Sequence, residues 1–115
     1  MEERVLYRGM PYPNQETKDW GDPEPDYKFN EDLYIDEIKR YIDSTYDGHY
    51  SKDKFQASEF IQDAGHGTGF NMGNVMKYAQ RYGNKGTKND ARKDLMKVLH
   101  YAILQLHVHD TSPNE

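Results

Sequence analysis

The chain has 115 residues, about one domain, with a net charge of −5, no cysteine, and a hydrophobic share of only 35% even with ten tyrosines counted. Disulfides and thiolate metal sites are excluded, and no run approaches the roughly 18 apolar residues of a membrane span. The start, MEERVLYRGMPYP, has no long apolar run and is not read as a signal peptide, so the expected place is the cytoplasm.

Charge is unevenly distributed. Sixteen of the 20 acids lie in residues 1–64, while all seven bases of the C-terminal part fall between Lys77 and Lys97. An acidic total argues against a broad surface for specific nucleic-acid binding. A local basic cluster suits one small anionic ligand or an acidic partner.

Residues 1–28 hold four of the five prolines and show neither helical nor strand periodicity, which predicts an extended or partly disordered arm. A helical domain is expected over 29–109, and a disordered tail over 110–115. Its first helix should run from 30 to 46, capped by Asn30, with Glu31 and Asp32 at the positive end of the dipole and Ile35, Ile38 and Ile42 at helical spacing. A short second helix is expected over 54–64, ended by Gly65. The third should span 71–82, with Val75, Tyr78, Ala79 and Tyr82 on one face and Gly83 closing it. The fourth should span 89–107, capped by Thr87 with Asp90 or by Asn89. Its apolar stripe is Leu95, Leu99, Ala102, Ile103 and Leu106. The short link of residues 83–88 predicts that the last two helices form an antiparallel hairpin. The expected class is therefore all-α, a small bundle of about four helices with a C-terminal helical hairpin. So little apolar residue in so short a chain also predicts a homo-oligomer, with the last helix's stripe partly buried between subunits.

Three constellations carry candidate chemistry. The glycine-rich stretch from Gly65 to Asn74 runs into the third helix, where free N–H groups and the dipole can receive a phosphate. The same glycines also suit a plain turn between helices. The stretch matches neither a Walker nor a dinucleotide fingerprint. Asn74, Lys77, Tyr78 and Arg81 share one side of the third helix at spacings of 3, 4 and 7, and Lys85 follows in the loop. An amide, two cations and a phenol in a row suit phosphate plus base or sugar contacts, although Tyr78 reads equally as core. Asp90 and Asp94 are four apart and could hold Mg²⁺. Asp90 reads better as a cap and Asp94 as the partner of a basic group, so no metal ligand is assigned. His100 and His107 are too far apart for one metal, and no G-x-S-x-G or H-E-x-x-H motif is present.

The order His49-Tyr50, Phe60-Ile61, Gly69-Phe70, Gly73-Asn74-Val75-Met76-Lys77-Tyr78 with Arg81, Lys85-Gly86, then Asp94-Leu95, Lys97 and Tyr101 resembles the SaV-like domain family of bacteriophages. The resemblance covers about residues 49–107 and leaves the acidic first 48 outside. The family is mostly of unknown function, and a phage member is described as a nucleotide kinase that acts on deoxynucleoside monophosphates without a Walker motif. The resemblance implies a site of His49, Tyr50, Asn74, Lys77, Tyr78, Arg81, Lys85 and Asp94. Arg81 and Asp94 would be the catalytic pair and the others the nucleotide contacts. ATP or another nucleotide would be the co-substrate, with Mg²⁺ compatible but not implied. The alternative is a non-catalytic nucleotide binder, such as a sponge for a signalling nucleotide or a regulator of a host protein. An all-α pyrophosphohydrolase would need clustered carboxylates of the E-E-x-x-E type, which the chain lacks.

Overall fold

A computed structural model describes residues 23–47 and 57–113. Among the described residues all regular structure is helical, with no strand. Residues 23–28 are exposed and without helix, while the expected arm over residues 1–22 and the start of the helix expected at 54 fall outside the described residues.

Helix α1 spans Glu31–Ser44. Asn30 stands at its start but does not cap it with its side chain. Its backbone is left-handed (φ 59°, ψ 32°), a region that asparagine tolerates better than most residues. Glu31 caps the turn instead, its Oε1 accepting from the Phe29 N–H at 3.0 Å. Ile38 is the buried residue of this helix, while Ile35, expected beside it, is exposed.

Residues 57–61 are helical and continue into a π-turn, Gln62–His66. Gly65 ends this segment at φ 89°, the conformation that glycine adopts without steric cost. Helix α2 then begins at once, spanning Gly67–Arg81 rather than starting at 71. Most of the expected glycine loop is thus helix, and the chain turns sharply at Gly65 alone.

Helix α3 spans Lys88–Thr111. Thr87 and Asp90 cap it reciprocally: Thr87 Oγ1 accepts from the Asp90 N–H at 3.1 Å, and Asp90 Oδ2 accepts from the Thr87 N–H at 3.0 Å. The helix overruns the expected end at His107 by one turn. There Thr111 and Ser112 donate their hydroxyl hydrogens to the carbonyls of His107 and Val108, at 2.7 and 2.6 Å. These bonds satisfy carbonyls that a helix end would leave unpaired.

Helices α2 and α3 lie side by side and antiparallel, so that Thr68 meets Gln105, Phe70 meets Tyr101 and Arg81 meets Asp94. Their seam is unusually polar. Asn71 is completely buried and Asp94 is 2% exposed, while Ile38 and Ala91 are the buried apolar side chains among the described residues. Asn71 and Gln62 exchange amide hydrogen bonds at 2.8 and 3.2 Å. Asn71 also donates to Gln105 at 3.2 Å, and Gln105 to Thr68 at 3.0 Å. Gly67 lies against this network: a Cβ there would run into Gln62 Oε1 and come within 3.1 Å of Val108.

The apolar stripe of the last helix, expected partly between subunits, is not turned to α2. Leu95, Leu99, Ile103 and Leu106 are 40–62% exposed. The α3 face turned to α2 is instead the one bearing Ala91, Asp94, Tyr101, Gln105 and Val108. Helix α1 crosses the back of α3. Arg92 grips Glu37 with both guanidinium nitrogens, one at 2.7 Å, and Tyr41 packs edge-on to His100 at 5.7 Å.

Candidate functional site

One flank of the α2–α3 pair collects the basic and aromatic side chains. The spacing of three and seven from Asp94 puts Lys97 and Tyr101 on the side of α3 that faces Tyr78. The Tyr78 and Tyr101 rings stack nearly parallel, 6.1 Å apart with 7° between their planes. Phe70 meets Tyr101 edge-on at 5.7 Å, and His100 stacks beside it at 6.1 Å. Lys77 from α2 and Lys97 from α3 both place their ammonium groups 5.1 Å from the centre of the Tyr78 ring. Two cations from different helices thus converge on one aromatic ring, whose quadrupole attracts both.

One helical turn further along α2, Arg81 faces Asp94. Arg81 Nε lies 3.6 Å from Asp94 Oδ1, with the arginine side chain 46% exposed and the aspartate 3%. The separation is that of an ion pair rather than a hydrogen bond. Asp94 Oδ2 is buried and accepts no hydrogen bond. Arg81 is thus paired with a buried carboxylate while nearly half of its side chain stays open to solvent, which leaves donors for an incoming anion.

The expected site residues divide. Lys77, Tyr78, Arg81 and Asp94 come together on this flank. Asn74 lies beside them, but its Nδ2 donates to the Phe70 carbonyl at 2.9 Å, which ties that donor to its own helix. Lys85 sits exposed in the link between α2 and α3. His49 and Tyr50 lie outside the described residues. Asp90 and Asp94 do not act as a pair: one caps α3 and the other faces Arg81.

The start of the glycine-rich stretch, Gly65 to Thr68, belongs to the opposite end of the helix pair. There a cleft of about 340 Å³ is lined by Gln62, Gly67, Thr68, His107, Val108 and neighbouring residues. Ten helical residues separate Gly67 from Lys77, a rise of about 15 Å. The glycines and the basic row therefore do not form one phosphate cradle.

Lys97 and Tyr101 were not among the assigned site residues, although the D-L-x-K-x-x-x-Y spacing puts both on the Asp94 side of the helix. His100 joins the cluster through burial as well as stacking, and desolvation holds its pKa below the ordinary 6.5. Nothing in a linear pattern marks that contact, because its partner Tyr41 comes from α1.

The sequence model of a family described as a protein of unknown function, DUF3310, matches residues 44–103, just over half the chain. No curated protein and no solved structure matches it.

Proposed function

The chain belongs to the DUF3310 family, and from its basic-aromatic flank we propose that it binds a nucleotide and acts in nucleotide metabolism of a phage-infected cell. The observation that carries this reading is the convergence of Lys77 and Lys97 on Tyr78, beside an Arg81 backed by buried Asp94. The cations take the phosphates. The lysines now cover the Tyr78 ring; drawn to phosphate, they uncover a flat aromatic surface for the base.

The reaction proposed is transfer of the γ-phosphoryl group of ATP to a deoxynucleoside monophosphate. The bond from the γ-phosphorus to its bridging oxygen breaks, and a new bond forms to an oxygen of the acceptor phosphate, giving ADP and the deoxynucleoside diphosphate. Such transfer needs positioning and charge neutralisation, with no covalent nucleophile from the protein. Lys77, Lys97, Arg81 and Lys85 neutralise the phosphates, and Asp94 orients Arg81. In this reading His49, Tyr50 and Asn74 complete the nucleotide contacts, and the protein is a cytoplasmic homo-oligomer.

One observation favours the second reading, a non-catalytic nucleotide binder. Asp94 is buried and turned to Arg81, a place for orienting a cation rather than for receiving the acceptor's proton. One experiment separates the two. The protein is incubated with ATP, Mg²⁺ and each deoxynucleoside monophosphate, the diphosphate is assayed, and binding of each nucleotide is followed by calorimetry. Diphosphate formation supports the kinase. Binding without turnover supports the sponge or regulator. Absence of both overturns the assignment of this flank to a nucleotide.

A further inference from the structure

Opposite the basic flank, the same two helices present an apolar face. On α2, Met72, Met76 and Ala79 lie about 80–140° round the helix from buried Asn71 in one sense, and Lys77 and Arg81 about 80–120° in the other. On α3, Leu95, Leu99, Ala102 and Leu106 lie about 80–140° from Asp94 in one sense, and Lys93 and Lys97 about 60–100° in the other. In two facing antiparallel helices, flanks of like sense fall on the same side. The meeting of Lys77 and Lys97 on Tyr78 identifies one such side. The methionines and leucines therefore share the other.

We propose that this face is a dimerisation surface whose occupant is a second copy of the chain, the two α2–α3 pairs closing into a four-helix bundle. Three features point to a like partner. The apolar positions advance by four, three and four residues on α3 and by four and three on α2. That is the repeat by which helices of a four-helix bundle interlock. No Asp, Glu, Lys or Arg occurs from Val98 to Leu106, and absence of charge marks the centre of an interface. Met72, Met76, Leu95, Leu99 and Leu106 remain 42–65% exposed. Such side chains leave on the order of 500 Å² of apolar surface per copy, which doubled reaches the roughly 1,000 Å² that a specific interface needs. The inference gives the oligomer proposed above its seam, and it stands or falls apart from nucleotide binding, because the basic flank points away from the seam and each copy keeps its own.

The test is the mass of the full chain by light scattering at tens of micromolar. Twice 13.5 kDa is expected, falling to 13.5 kDa in Leu99→Glu with the helical circular dichroism retained. Should that variant lose its helices, single cysteines in this cysteine-free chain decide the point. Ala102→Cys should crosslink between copies with a short bismaleimide, and Lys93→Cys, on the other flank, should not. A wild-type chain of 13.5 kDa overturns the proposal. So does an oligomer whose mass Leu99→Glu leaves unchanged, or one in which Lys93→Cys crosslinks and Ala102→Cys does not.

Discussion

Arg81 is a half-exposed arginine whose counterion is buried. Each charge-assisted hydrogen bond it makes to a phosphate should contribute about 1.5–3 kcal/mol where water is partly excluded. Arg81→Ala should therefore weaken nucleotide binding roughly 10- to 150-fold by calorimetry, with helicity kept. Arg81→Lys should restore only part of the loss, since lysine has no fork to share between Asp94 and a ligand. Asp94→Asn should weaken binding less than Arg81→Ala, and the double substitution should cost less than the two effects added, because Asp94 acts through Arg81. Additivity would show that they do not act together.

At the same scale, His100 gives the fold a pH dependence of known sign. Burial lowers its pKa below 6.5, so the unfolded chain takes up a proton before the folded one does. The contribution is complete above pH 6.5 and declines as pH falls through 6.5 to the folded value. Urea midpoints should be lower at pH 5.5 than at pH 7.5, and His100→Leu should remove most of that difference. A separate loss at more acid pH is expected from Glu37 and Asp90. The hydrogen bonds of Arg92 and Thr87 hold their pKa values below the ordinary 4.5 and 3.8. Their stabilisation is present above those ordinary values and disappears as pH falls through the lowered ones.

Among the elements, the α2–α3 seam is held by amides rather than aliphatics. A buried amide is tolerated only when its hydrogen bonds are made, and Asn71 is bonded to both Gln62 and Gln105. Asn71→Ala strands both partners and should destabilise by about 1–3 kcal/mol in urea titration. A change within 0.5 kcal/mol would mean that the network is dispensable. The same seam explains why Gly67 stands at the start of α2. Any side chain there displaces Gln62, the residue that links the π-turn to Asn71.

At the largest scale, the contrast among the described residues is between the long α2–α3 contact and the shorter contact of α1 with α3. Among the described residues, the Arg92–Glu37 pair and the Tyr41–His100 contact join helix α1 to α3, and Ile38 is its buried side chain. Exposed ion pairs contribute little. Helix α1 should therefore open on its own, below the global unfolding free energy. Native-state hydrogen exchange should find its amides exchanging well before those of Asn71–Tyr78 and Asp94–Gln105. Equal protection in all three helices would show one cooperative unit.

What the sequence determined by itself was local. The Thr87–Asp90 capping box, the stops at Gly65 and Gly83, the helical class and the row of Asn74, Lys77, Tyr78 and Arg81 all follow from residues within a turn or two of one another. Caps, glycine conformations and same-face spacing are short-range physics. Which face of each helix lies inside depends instead on the helix packed against it. Leu95, Leu99 and Leu106 are the obvious core stripe by hydrophobicity, yet the face buried against α2 carries Asp94, Tyr101 and Gln105. Periodicity identifies a stripe but not its partner. A polar face becomes buried when a second helix brings matching amides, an arginine and an aromatic ring to it. For the same reason Lys97 joined the site, and the glycine stretch left it, only once α2 and α3 were laid side by side.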